Sequence, residues 1–106
     1  MVQQGTLITL ARGQYRLREA LGGSAYGVVW RGGAAGGSVA IKLVNSGQMA
    51  LAPAGLRHHW IDAARAEEQF LSALAPWDAR HIVRLLDSGS HEGLPAMALE
   101  LLDGDL

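Results

Sequence analysis

The chain of 106 residues contains no cysteine. That excludes a disulfide framework and a thiolate metal site, and it fits a reducing compartment such as the cytoplasm. Charge is scarce: 18% of residues are charged, against ~25% in an average soluble protein. With 49% hydrophobic residues, the chain is not a charge-rich disordered segment. Long apolar runs are missing too. None approaches the ~18 residues of a membrane-spanning helix. The start, MVQQGTLITLARG, lacks the basic opening and long apolar core of a secretion signal. A net charge of −1 argues against nucleic-acid binding driven by bulk charge. The length allows one domain with a modest core, since a chain this size buries only about 60–65% of its unfolded surface.

Lysine is nearly absent. Eight of the nine basic residues are arginine, and the single lysine is Lys42. Charge is also unevenly spread. Residues 1–60 hold six basic groups and one acid, Glu19, whereas residues 61–106 hold three basic groups and nine acids. At physiological salt the attraction between the halves is screened beyond ~8 Å, and no function is assigned to it.

Residues 6–10 are a short apolar stretch that could add an edge strand. Residues 15–21 alternate and read as a strand. The Gly-rich segment Leu21-Gly22-Gly23-Ser24-Ala25-Tyr26-Gly27 follows. Residues 27–31 are β-branched and aromatic, hence a second strand. Residues 32–37 read as a hairpin loop, and 38–44 as a third strand interrupted only by Lys42. Residues 45–57 form a loop or weak helical stretch broken by Pro53. A helix is expected over 61–75, ended by Pro76. Residues 82–87 are a fourth strand, 88–93 a turn, and 94–101 a fifth strand with Pro95 tolerated near its start. This order predicts an α+β domain with a five-stranded antiparallel sheet and one main helix.

A Gly-rich turn lets backbone N–H groups approach phosphate oxygens, because no Cβ intervenes. Dinucleotide-binding folds place such a turn between a strand and a helix. Here Gly22-Gly23-Ser24-Ala25-Tyr26-Gly27 is followed by a strand, which suits a flap between two strands instead. Taken alone, the loop is equally a plain hairpin of a small β domain. Lys42 shares a strand face with the small Ala40. It is either a point charge for phosphate or an edge-strand lysine that faces solvent and discourages aggregation. On the helix, Ala63, Ala64, Phe70, Leu71 and Leu74 fall at i−4, i−3, i+3, i+4 and i+7 from Glu67, so Glu67 sits within an apolar stripe. Glu68 belongs to the solvated side. Glu67 either snorkels at the stripe's edge or pairs with Lys42, which would satisfy both charges.

The Gly-rich loop, Val39-Ala40-Ile41-Lys42 and a helix glutamate, in this order, resemble the N-terminal lobe of a protein kinase. His81-Ile82-Val83-Arg84-Leu85-Leu86-Asp87 is similar to that family's fourth strand. Met97-Ala98-Leu99-Glu100-Leu101-Leu102-Asp103-Gly104 looks like its fifth strand and hinge. The resemblance covers residues 15–106, leaving 1–14 as an N-terminal extension. The Ala/Gly/Arg-rich style is similar to bacterial Ser/Thr kinases.

The resemblance implies a set of roles. Leu21, Val29 and Ala40 would roof the adenine of ATP. Gly22, Ser24 and Gly27 would shape the phosphate flap. Lys42 would hold the α- and β-phosphates, and Glu67 would orient Lys42. Leu99 would be the gatekeeper, and the backbone of Glu100 and Leu102 would hydrogen-bond adenine. Ser24 departs from the family by standing where a second glycine is usual, which reshapes the flap. The segment between Lys42 and Glu67 is long, and its adjacent His58 and His59 lack an evident third metal ligand.

Neither the catalytic-loop H-R-D-x-x-x-x-N nor the metal-binding D-F-G occurs in the 106 residues. Phosphoryl transfer needs the base and the Mg2+ ions together with the cradle. The expectation is therefore an ATP-binding lobe without catalytic residues of its own. In a full-length parent, a C-terminal lobe would bring Mg2+ and the protein substrate. The alternative is a non-catalytic nucleotide-binding or regulatory module, similar to a pseudokinase. An uncovered cleft face would favour self-association.

Overall fold

The computed structural model describes residues 2–34, 37–73 and 84–101. Six strands form one antiparallel sheet: β1 (Leu7–Thr9), β2 (Gln14–Gly23), β3 (Gly27–Ala34), β4 (Gly37–Val44), β5 (Leu85–His91) and β6 (Leu94–Glu100), in the spatial order β1-β2-β3-β4-β6-β5. Between β4 and β5 lie a short helix α1 (Ser46–Leu51), a 3-10 turn (Ala54–Leu56) and the main helix α2 (His58–Ser72). The expected α+β class holds, and the apolar stretch near the N-terminus is a sixth strand.

Strand alternation divides the core between the two faces of the sheet. One face carries Ile8, Leu10, Tyr15, Leu17, Ile41, Leu43, Ala96 and Ala98. The N-terminal strand and the turn after it belong to this cluster, and Ile8 is fully buried. The other face carries Ala40, Met97 and Leu99, with Val29, Leu71, Leu85 and Leu101 packed around them. Helix α2 lies against β4, β5 and β6 and delivers Leu71 to this second face. Burying one such leucine is worth roughly 1.5–3 kcal/mol.

Several boundaries differ from the sequence expectation, each for a local reason. The β3–β4 hairpin is longer than a loop over 32–37 would allow, because Gly32 pairs with Val39 and Gly33 with Ser38. Glycine suits this stretch of strand. A Cβ on Gly32 would lie 2.6 Å from Cγ1 of Ile41, and one on Gly33 would lie 2.9 Å from the Arg18 guanidinium. The expected turn over 88–93 is much tighter. β5 continues to His91, which pairs with Leu94, and the reversal uses only Glu92 (φ 51°) and Gly93 (φ 79°). Two central residues with positive φ make the primed hairpin turn that matches strand twist.

Helix α2 starts at His58, three residues earlier than expected, and ends at Ser72 with Ala73 as its C-cap. Pro76, Leu74 and the residues of the expected fourth strand before Arg84 lie outside the described residues. The inward face of α2 is also rotated from the expected stripe. Trp60, Ile61, Ala64, Glu67, Glu68 and Leu71 are half-buried, whereas Ala63 is exposed and Phe70 is 58% exposed. Glu68 is thus not on the solvated side, and Phe70 is not on the buried one. Among the described residues, no helix is long and apolar enough to cross a membrane.

A buried carboxylate ties the N-terminal hairpin to the far edge of the sheet. Asp87 is 5% exposed. Its oxygens accept the Arg12 N–H (3.0 and 2.9 Å), the Ser88 N–H (2.8 Å) and the Tyr15 hydroxyl (2.8 Å). Beside it the Ala11 N–H donates to the Ser88 carbonyl at 3.1 Å. Burial first, then the hydrogen bond to Asp87, pushes the Tyr15 phenol up to about 12.

Candidate functional site

Lys42 lies on β4, paired with Val29 of β3 on one side and Met97 of β6 on the other. β4 is therefore an interior strand, and the edge-strand reading of Lys42 falls. Its ammonium reaches both oxygens of Glu67 on α2, at 2.6 Å and 2.8 Å. Helix α2 can supply this carboxylate because its inward face crosses β4 and β6 at that point. The side chains are 29% and 37% exposed. A pair this open to solvent contributes only about 0.2–1 kcal/mol to stability. The pair therefore adds little to folding stability.

The pair opens onto a cleft of about 380 Å³, part of it continuous with solvent, lined also by Ser24, Tyr26, Gly27, Leu43, Val44, Ala63, Ala64, Pro95 and Met97. Gly27 forms part of its wall, where a Cβ would come within 3.1 Å of Cε of Lys42. Without a side chain at Gly27, the flap can lie directly over the ammonium. Val29, Ala40 and Leu99 come together with Met97 in the second apolar cluster. Leu21 and Gly22 are exposed on β2 and are not among the residues lining this cleft. The Glu100 N–H donates to the Arg84 carbonyl at 2.8 Å. Leu102 lies outside the described residues.

The flap joining β2 and β3 is tightly folded. The Ser24 N–H donates to the Gly27 carbonyl at 2.7 Å. The Ser24 hydroxyl accepts the N–H groups of Tyr26 and Gly27, both at 3.3 Å. Serine in the place of the usual glycine therefore braces the turn from within. The carbonyl side is fixed from outside. Asn45 donates its side-chain amide to the Ser24 carbonyl (3.0 Å) and its backbone N–H to the Tyr26 carbonyl (2.9 Å). Asn45 also caps α1 by accepting the Gln48 N–H. The indole N–H of Trp60 donates to the Ala25 carbonyl at 2.9 Å. The rings of Trp60 and Tyr26 pack with centroids 4.8 Å apart.

Sequence reasoning missed Asn45, Trp60, Pro95 and Met97. Met97 was accessible from strand alternation, since it lies two residues before Leu99. Trp60 carried no local signal, because its partners are 34 and 35 residues away. His58 and His59 stack on each other at 4.2 Å, and no group of three or more metal-ligating side chains occurs among the described residues.

This assembly, a curled antiparallel sheet with a strand lysine held by the glutamate of one helix beneath a Gly-rich flap, has the fold of the N-terminal lobe of a protein kinase. Solved structures agree. The chain is similar to the kinase domain of PknI from Mycobacterium tuberculosis, with a TM-score of 0.58 both to a variant at 25% identity and to another PknI structure at 24%. It is also similar to vaccinia related kinase 3, with a TM-score of 0.57 at 15% identity. These alignments cover 98%, 98% and 96% of the chain, but only 38%, 37% and 31% of the respective kinases. No protein-family profile matches the sequence, and no curated protein matches it either.

Proposed function

We propose that the chain is the ATP-binding lobe of a cytoplasmic serine/threonine protein kinase, whose full-length form transfers the γ-phosphate of ATP to protein hydroxyls. The observation that carries this reading is the Lys42–Glu67 pair at 2.6 Å, opening onto the cleft under the flap. The residues present fit the nucleotide. Lys42 supplies a flexible point charge for the α- and β-phosphates. Glu67 keeps it extended toward the cleft. Gly27 leaves the space that a Cβ would fill. Val29, Ala40 and Leu99 share an apolar cluster with Met97 of the cleft wall, and this is the surface proposed for a flat ring. ATP, when bound, supplies the phosphoanhydride whose terminal group is transferred. The base and the Mg2+ ligands belong to motifs that do not occur in these 106 residues, so the chain by itself binds and orients but is not expected to turn over.

The Ser/Thr assignment rests on the sequence resemblance, and the choice of protein substrate belongs to a C-terminal lobe. Titration calorimetry with ATP tests the reading. Lys42→Ala is expected to lose about tenfold in affinity, the order of one charge-assisted contact. The melting temperature should stay near that of the wild type, because the ion pair is half-exposed. Equal affinity of wild type and variant for ATP would remove the phosphate role of Lys42.

A further inference from the structure

Three successive flap carbonyls, those of Ser24, Ala25 and Tyr26, accept hydrogen bonds from outside the flap. Asn45 holds the first and third from the end of β4. The middle one, at the tip, is held by Trp60 from the helix that carries Glu67. Trp60 and Glu67 are seven residues apart, close to two helical turns, so both project from the same side of α2. Both are half-buried on its inward face.

We propose that Trp60 is a positioning residue that ties the tip of the Gly-rich flap to helix α2, so that flap closure and the Lys42–Glu67 pair form as one unit. The role in ligand binding rests on the nucleotide-binding reading above. The division of hydrogen bonds within the flap supports it. Its carbonyl side is bonded to Asn45 and Trp60. Its Tyr26 and Gly27 N–H groups make only 3.3 Å bonds to the Ser24 hydroxyl. An anionic oxygen is a stronger acceptor than a hydroxyl. A phosphate can therefore take those two donors while Trp60 and Asn45 keep the flap in place. Movement of α2 away from β4 would break the Lys42–Glu67 contact and pull on the flap tip together. A ligand without phosphates gains nothing from this coupling.

Two variants separate the parts of the contact. Trp60→Phe keeps a ring against Tyr26 and removes the N–H donor, whereas Trp60→Ala removes both. The first measurement needs no ligand: amide hydrogen exchange on the 106-residue chain. Faster exchange is expected at residues 24–27 and at 63–67 together, larger in Trp60→Ala than in Trp60→Phe, with the β5–β6 hairpin unchanged. Acceleration in the flap alone, in neither segment, or throughout the fold would overturn the coupling. The second measurement compares ATP with adenosine by calorimetry. Loss of one hydrogen bond near 1 kcal/mol predicts about fivefold weaker ATP binding in Trp60→Ala, with adenosine affinity unchanged. Equal losses for both ligands, or none for ATP, would overturn it. Wild type that binds neither ligand would sink the nucleotide-binding reading itself, and the exchange pattern would then decide the positioning role alone.

Discussion

Replacing Asp87 by alanine should cost about 3–4 kcal/mol, a large part of the ~5–15 kcal/mol stability of a typical domain. Asp87 is 5% exposed and both its oxygens are used, by the N–H groups of Arg12 and Ser88 and by the Tyr15 hydroxyl. Alanine strands the hydroxyl of Tyr15, which is itself 8% exposed, and takes the side-chain acceptor from the half-buried contacts of the Arg12 and Ser88 N–H groups. Each buried donor left without an acceptor costs about 1–3 kcal/mol. The upper end of the sum is reduced because alanine also removes a carboxylate that was costly to bury. Tyr15→Phe leaves Asp87 its backbone donors and should cost about 1 kcal/mol. The double variant should lose about 1–2 kcal/mol less than the sum of the two, because donor and acceptor disappear together. Urea denaturation followed by circular dichroism measures all three. A loss below about 1 kcal/mol for Asp87→Ala at unchanged m-value, or strict additivity, would show that this carboxylate does not fasten the N-terminal hairpin.

Two further outcomes follow from the same core. The Tyr15 phenol is held at about 12 in the folded chain against 10.0 ordinarily, so the folded state keeps its proton longer than the unfolded one. The associated stability is full below pH 10 and is lost as pH rises from 10 to 12, by about 2 kcal/mol; Tyr15→Phe should remove that part of the alkaline loss in melts across this range, and an unchanged profile would refute it. Gly32→Ala pushes a Cβ to 2.6 Å from Cγ1 of Ile41, which is fully buried, and should cost about 1–3 kcal/mol as overpacking. Gly22→Ala meets nothing within 4 Å and should stay within about 0.5 kcal/mol of wild type, so similar losses for the two glycines would contradict the packing described.

What could be read from the sequence was local chemistry with a fixed spacing. Lys42 in an apolar strand, Ala40 beside it, and a glutamate on the helix stripe were enough to expect the ion pair that the fold forms. The strand sequence was legible because β-branched residues alternate or run together between glycine clusters. The orientation of α2 was not. From Glu67, a 3.6-residue period allows an apolar flank through either Phe70 or Leu71. The early start at His58, with Trp60 turned to the flap, selects the Leu71 side and leaves Phe70 outside. Glycines misled in the other direction. Gly32 and Gly33 read as loop, but they are strand residues chosen for close packing against Ile41 and Arg18. Asp87 looked like the polar end of a strand and is instead a buried acceptor, two of whose donors, the Arg12 N–H and the Tyr15 hydroxyl, lie more than 70 residues earlier in the chain.

The docking of the turn after β1 on β5 has a topological consequence. Strands β1 and β5 are the two margins of the sheet, and margins are where foreign strands add. Here the chain joins its own margins through the Ala11–Ser88 hydrogen bond and the Arg12–Asp87 clasp, bending the sheet most of the way into a ring. A foreign strand adding at that point would have to displace these two contacts. A neighbour can instead meet this unit through side chains on its cleft face or on the outward side of α2, where Phe70 is exposed.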